Sequence, residues 1–65
     1  MNYPVLIKTY RYKNFLTQED FAKLVGVSFA TVNRWENGHF NPTMKTKKKL
    51  NDLFIEAKLI KGIKE

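Results

Sequence analysis

Residues 17–38 constrain this chain more than any other stretch, because two hydroxyl caps and two glycines divide them into a pair of short helices. Thr17 stands where its hydroxyl accepts the backbone N–H of Asp20, and the Asp20 carboxylate can return a bond to the cap, a variant of the capping box. Phe21, Leu24 and Val25 then form an apolar stripe, and Ala22 is small enough to let a second helix approach closely. Gly26 falls where the chain must reverse with φ > 0, and Val27 packs behind that turn. Ser28 caps the second helix. Its Val32 and Trp35 point inward, while Ala30, Thr31, Asn33 and Arg34 point outward or to the margins. Asn37 and Gly38 end it with a second left-handed stop.

Two short helices at a steep angle, joined by a glycine turn, define the helix-turn-helix, whose second helix lies in the DNA major groove. The stretch resembles the lambda-repressor/Cro-like family, also called the XRE or Cro/C1-type family. Leu16-Thr17-Gln18-Glu19-Asp20-Phe21-Ala22 is similar to the family's LTQEELA opening, and Gly26-Val27-Ser28 to its turn. Val32-Asn33-Arg34-Trp35-Glu36-Asn37-Gly38 is similar to its I-x-R-W-E-N-G exit. With Arg11 upstream and Pro42 downstream, the resemblance covers roughly residues 5–54.

Size and charge narrow the alternatives. Sixty-five residues make one domain, near the lower limit for folding without disulfides or metal. With no cysteine, neither a disulfide framework nor a thiolate metal site can form, and His39 alone makes no metal site. No apolar run approaches a membrane span, and Met1-Asn2-Tyr3-Pro4 lacks the basic start of a signal peptide. A soluble, cytoplasmic protein without cofactor, small-molecule ligand or membrane partner is expected. The formal charge of +6 favours an anionic partner, nucleic acid first and membrane surface second. No nucleophile–base–acid set and no glycine-rich phosphate loop is present, so the chain is not expected to be an enzyme.

The flanking segments read as helices. Pro4 suits the first turn of an opening helix running to about Asn14, with Tyr3, Leu6, Ile7 and Tyr10 facing the core. Phe15 stands where the family usually ends this helix with glycine, and Tyr10 where leucine is usual. Asn14 tolerates the left-handed conformation better than Phe15, which predicts a helix one residue shorter. After Gly38 comes a short loop in which Phe40 is expected to plug the core, the alternative being an exposed ring, and Pro42 opens the next helix. Leu50, Leu53, Phe54, Ala57 and Ile60 share one face, and nothing between residues 43 and 61 breaks a helix before a stop at Gly62. The family often divides this region at a glycine that the chain lacks. The expected fold is therefore all-α, four helices, with an extended C-terminal helix, as one domain over residues 1–65. Ile55, Leu59 and Ile63 lie off the core stripe, as a second apolar edge suited to a homodimer contact.

The resemblance implies roles for individual residues. Arg11 and Glu36 occupy the positions of a buried ion pair, the alternative being two solvated surface charges. The recognition helix is residues 28–37, where Phe29, Ala30 and Arg34 match base-reading positions, with Asn33 and Thr31 beside them. Phe29 and Ala30 can meet thymine methyl groups, although Phe29 also suits a core position under the turn. Arg34 can fork onto guanine or clamp a phosphate. Gln18, Ser28, Thr31, Asn37, Thr43 and Lys45 are the candidate DNA-backbone contacts, aided by helix N-termini. The expected function is sequence-specific binding of double-stranded DNA by a repressor-like transcriptional regulator. The alternative is a protein-interaction module of the same fold, an antitoxin or adaptor.

Overall fold

The computed structural model describes residues 2–39 and 41–61; Phe40, Gly62 and Ile63, which carry an expected core plug, helix stop and apolar edge, lie outside them. The described residues form α1 (Tyr3–Lys13), α2 (Gln18–Val25), α3 (Phe29–Glu36) and α4 (Met44–Glu56), and no strand. The all-α, lambda-repressor-like architecture is the expected one. Each helix starts at a side-chain cap. Asn2 accepts from the Val5 N–H, Thr17 from Asp20, Ser28 from Thr31 and Thr43 from Thr46. At Thr17 the box is reciprocal, with the Thr17 N–H donating to Asp20 Oδ2 at 3.1 Å. The first N–H groups of a helix have no intrahelical acceptor, and these side chains satisfy one at each end.

The core is one cluster from all four helices. Ile7, Phe21, Val32, Leu50 and Phe54 are fully enclosed, and Tyr3, Ala22, Val25 and Trp35 nearly so. Tyr10 explains its departure from leucine. Its ring packs edge-on against Phe21 at 5.7 Å and Phe54 at 6.1 Å, joining α1, α2 and α4. Tyr3 reaches the same helix by packing on Phe54 and donating its hydroxyl to Asn51 Oδ1 at 3.3 Å. Leu24 departs from expectation. It is 43% exposed, because the eight-residue α2 turns only Phe21, Ala22 and Val25 fully inward.

All four helices end by the same device, a residue in the left-handed region followed by a bond back to the last turn. Gly26 (φ 84°) and Gly38 (φ 73°) are the expected examples. Phe15 (φ 56°) and Lys58 (φ 63°) are not. At α1 the Leu16 N–H returns to the Arg11 carbonyl at 2.8 Å, so the left-handed residue is Phe15 and not Asn14, whose φ is −106°. Asn14 instead donates its side-chain amide to the Tyr10 carbonyl at 2.9 Å. The expectation for Asn14 fails because the turn's geometry fixes which residue carries the positive φ, whatever its intrinsic tolerance.

Lys58 shortens the fourth helix in the same way. It is the longest and unbroken, but it stops at Glu56, where the Leu59 N–H bonds the Phe54 carbonyl at 2.8 Å. Lys13 Nζ takes the Ala57 carbonyl at 3.0 Å, tying the end of α1 to the end of α4. Leu59 and Ile60 then fold back on the core, so Leu59 does not extend the apolar edge of Ile55, which stays exposed. Pro42 is buried just before the Thr43 cap and does not open the helix itself.

An L-residue in the left-handed region costs about 1–2 kcal/mol, and the Phe15 ring is 93% exposed, so it recovers nothing by packing. Phe15→Gly and Lys58→Gly should each stabilise the domain by about 1 kcal/mol, read as a raised urea midpoint at constant slope. A fall in midpoint would show that the side chains are engaged.

Candidate nucleic-acid interface

The site is built outward from one buried ion pair. Arg11, in the last turn of α1, donates Nε to Glu36 Oε2 at 2.6 Å and Nη2 to Glu36 Oε1 at 3.0 Å, a fork that needs guanidinium planarity. Both side chains are enclosed, with 11% and 3% of their surface exposed, which rules out two solvated surface charges. The third donor, Nη1, takes the Leu16 carbonyl at 3.0 Å, at the entrance to α2. One guanidinium therefore fixes the end of α1, the α1–α2 link and the last residue of α3. The bond to Glu36 raises the Arg11 pKa above the ordinary arginine value, against the opposing effect of burial.

Gln18 joins this pair to the surface. It is the first residue of α2, half-buried, and its Nε2 donates to Glu36 Oε1 at 3.1 Å and to Asn33 Oδ1 at 3.5 Å. The pattern of residue types held no signal for this link, which appears only when the two helices cross. It turns the Gln18 side-chain donors inward. The outward groups at the start of α2 are thus the N–H bonds of Gln18 and Glu19, which a helix leaves without internal acceptors.

The outer face of α3 carries Ala30, Asn33 and Arg34, all exposed, with Asn37 following at the cap. Positions 30, 33, 34 and 37 lie three or four apart and share one side of the helix. Phe29 is 53% exposed and belongs with them, not under the turn. The Ser28 and Thr31 hydroxyls lie 2.9 Å apart and bond each other, so they reach the surface as a pair and not as independent groups. Thr43 caps α4, and Lys45 is exposed in its first turn.

Charge follows the same geometry. Between Asp20 and Asp52 the sequence holds six basic residues and one acid, Glu36, which is buried against Arg11. Exposed acids are therefore absent from the whole stretch that forms α3, its following loop and the first half of α4. Lys47 lies 5.9 Å over the Tyr3 ring and Lys48 pairs loosely with Asp52 at 3.8 Å, so the lysine run divides between several directions.

Two capped helices crossing through a left-handed glycine turn, with the second presenting a polar, acid-free face, define a helix-turn-helix domain. The chain matches the helix-turn-helix family model over residues 7–54 and belongs to that family. It is 42% identical over 48 residues to an uncharacterised HTH-type transcriptional regulator of Methanocaldococcus jannaschii, covering 74% of this chain and 73% of that one. It is also 42% identical over 48 residues to an uncharacterised HTH-type transcriptional regulator of Archaeoglobus fulgidus, covering 74% and 68%. No solved structure gives a significant match. Among the described residues, no helix is long and apolar enough to cross a membrane.

Two predictions concern the site's supports. Arg11→Met or Glu36→Gln leaves one partner of the buried pair unmatched, at a cost of about 3–5 kcal/mol. A 65-residue domain has on the order of 3–10 kcal/mol in total, so either variant should lose a large share of its stability, read by circular dichroism as a much lowered urea midpoint. Arg11→Met combined with Glu36→Leu should recover most of the loss. The second concerns Asp20, whose bonds from the Thr17 backbone and then its hydroxyl hold its carboxyl below the ordinary 3.8. A lowered folded value stabilises the fold above the unfolded value, and that contribution fades as pH falls through the folded value. The difference in thermal midpoint between the parent and Asp20→Asn should therefore shrink as pH falls from about 5 to about 2.

Proposed function

We propose that this chain is a DNA-binding transcriptional regulator that recognises specific sequences in double-stranded DNA, with residues 28–37 as its recognition helix. The observation that carries the reading is the acid-free outer face of α3 beside the basic start of α4, on a chain whose only acid in that span is neutralised internally. A duplex presents one phosphate charge per about 1.7 Å of axis, and such a face meets it without repulsion. The two archaeal relatives carry the name of transcriptional regulator, which supports the same reading.

The division of labour follows from reach and chemistry. The N–H groups of Gln18 and Glu19, the amide of Asn37, the Ser28–Thr31 hydroxyl pair, the Thr43 cap and Lys45 contact the DNA backbone and set the register. Phe29 and Ala30 offer apolar surface to thymine methyl groups, and Asn33 and Arg34 offer polar groups to base edges. A homodimer on a two-fold site, with half-site centres about 34 Å apart, is the form in which such short readers gain affinity. Repression follows where the site overlaps a promoter.

Titration against duplexes tests this directly. A dimer neutralising about eight phosphates gives a slope of log K against log[salt] near −7. Arg34→Ala should cost about 1–3 kcal/mol on the selected site and relax preference at one base pair. Lys45→Ala should weaken selected and scrambled DNA equally and reduce the salt slope by about one. A flat salt dependence, with Arg34→Ala unchanged on both duplexes, would move the fold to protein interaction, as an antitoxin or adaptor.

A further inference from the structure

Arg11, Glu36, Gln18 and Asn33 form a chain of hydrogen bonds whose direction is fixed at its buried end. A guanidinium only donates and a carboxylate only accepts. Glu36 Oε1 accepts from Arg11 Nη2 at 3.0 Å and from Gln18 Nε2 at 3.1 Å. The Gln18 amide cannot be reversed there, since its oxygen would then face the carboxylate oxygen. With its amino end held toward α3, the second N–H of Gln18 falls to Asn33 Oδ1 at 3.5 Å. That contact is long, but it turns the carbonyl branch of the Asn33 amide toward α2. The amino branch is left as the outward group of an exposed residue on the outer face of α3.

We propose that this relay makes Asn33 a hydrogen-bond donor toward the major groove, so that the domain selects guanine at the base pair facing residue 33. The inference rests on the DNA-binding reading above. Guanine shows two acceptors in the major groove, O6 and N7, and no donor. Adenine shows N7 beside its N6 amino group, which would meet the Asn33 amino group donor against donor. An unrestrained asparagine favours adenine, because it can use both ends of its amide at once. The relay therefore inverts the preference that residue type alone would give. Gln18 acts as a positioning residue, setting the specificity of Asn33 without needing to touch a base.

Selection from a pool of randomised duplexes, by the parent and by Gln18→Met, tests the relay. Methionine keeps the length and apolar stem and removes the amide. Asn33→Ala identifies the base pair concerned, as the position where preference disappears. At that position the parent should select guanine and Gln18→Met adenine, with the rest of the motif unchanged. The ratio of affinities for the guanine and adenine versions of the site should move by tenfold or more. Gln18→Ala, which removes the stem as well, should move it in the same direction. Adenine in the parent motif, or identical motifs for the parent and Gln18→Met, would overturn the relay while leaving DNA binding intact. A parent protein that enriches no duplex would overturn the DNA-binding reading, and the relay with it.

Discussion

The bidentate pair between Arg11 and Glu36 is the interaction on which the rest of the structure depends. It closes a contact between residues 25 apart in sequence and reaches the Leu16 carbonyl with the donor that remains. The ends of α1 and α3 and the entrance to α2 thereby share one anchor. A buried ion pair adds little net stability over an apolar replacement, since desolvation offsets most of the attraction. Its value here lies in geometry. An apolar plug would fill the same space without aligning the Gln18 amide.

The helix ends show a second constraint at work. Four left-handed turns terminate four short helices, and only two of them use glycine. Neither Gly26 nor Gly38 would crowd a Cβ against a neighbour, so the backbone angle alone makes glycine the favoured residue. Phe15 and Lys58 adopt the same angle because the surrounding contacts demand it. At Phe15 the Arg11–Leu16 bonds close the turn from both the backbone and the guanidinium. At Lys58 the return of Leu59 and Ile60 to the core does the same.

That difference marks what the sequence makes legible. Caps at Thr17 and Ser28, the turn at Gly26, the inward Val32 and Trp35 and the Leu50, Leu53 and Phe54 part of the α4 stripe all follow from local rules, and the structure agrees with each, whereas Ala57 and Ile60 fall past the helix end. The buried ion pair was legible only through resemblance, because nothing local distinguishes Arg11 from Lys8 or Lys13. The stop at Lys58 was not legible, since it depends on apolar residues beyond it packing backwards onto the core. The exposure of Leu24 and Phe29 depends equally on how short helices cross. For the site, residue types marked which side chains line the outer face of α3. The Gln18–Glu36–Asn33 link left no trace in the pattern, for it joins residues 15 and 18 apart through a crossing angle.

The central claim is spatial: the acid-free face formed by the exposed side of α3 and the start of α4, bordered by the N–H groups at the start of α2 and anchored through Arg11–Glu36, meets DNA. Backbone amide resonances of ¹⁵N-labelled protein, followed during titration with a short duplex, test it residue by residue. The account predicts that shifts and broadening concentrate at residues 17–19, 28–37 and 43–46, while Val5, Ile55 and Ile60 stay in place. Perturbation confined to the exposed side of α1 or to the Ile55 edge of α4, with residues 28–37 unmoved, would contradict it.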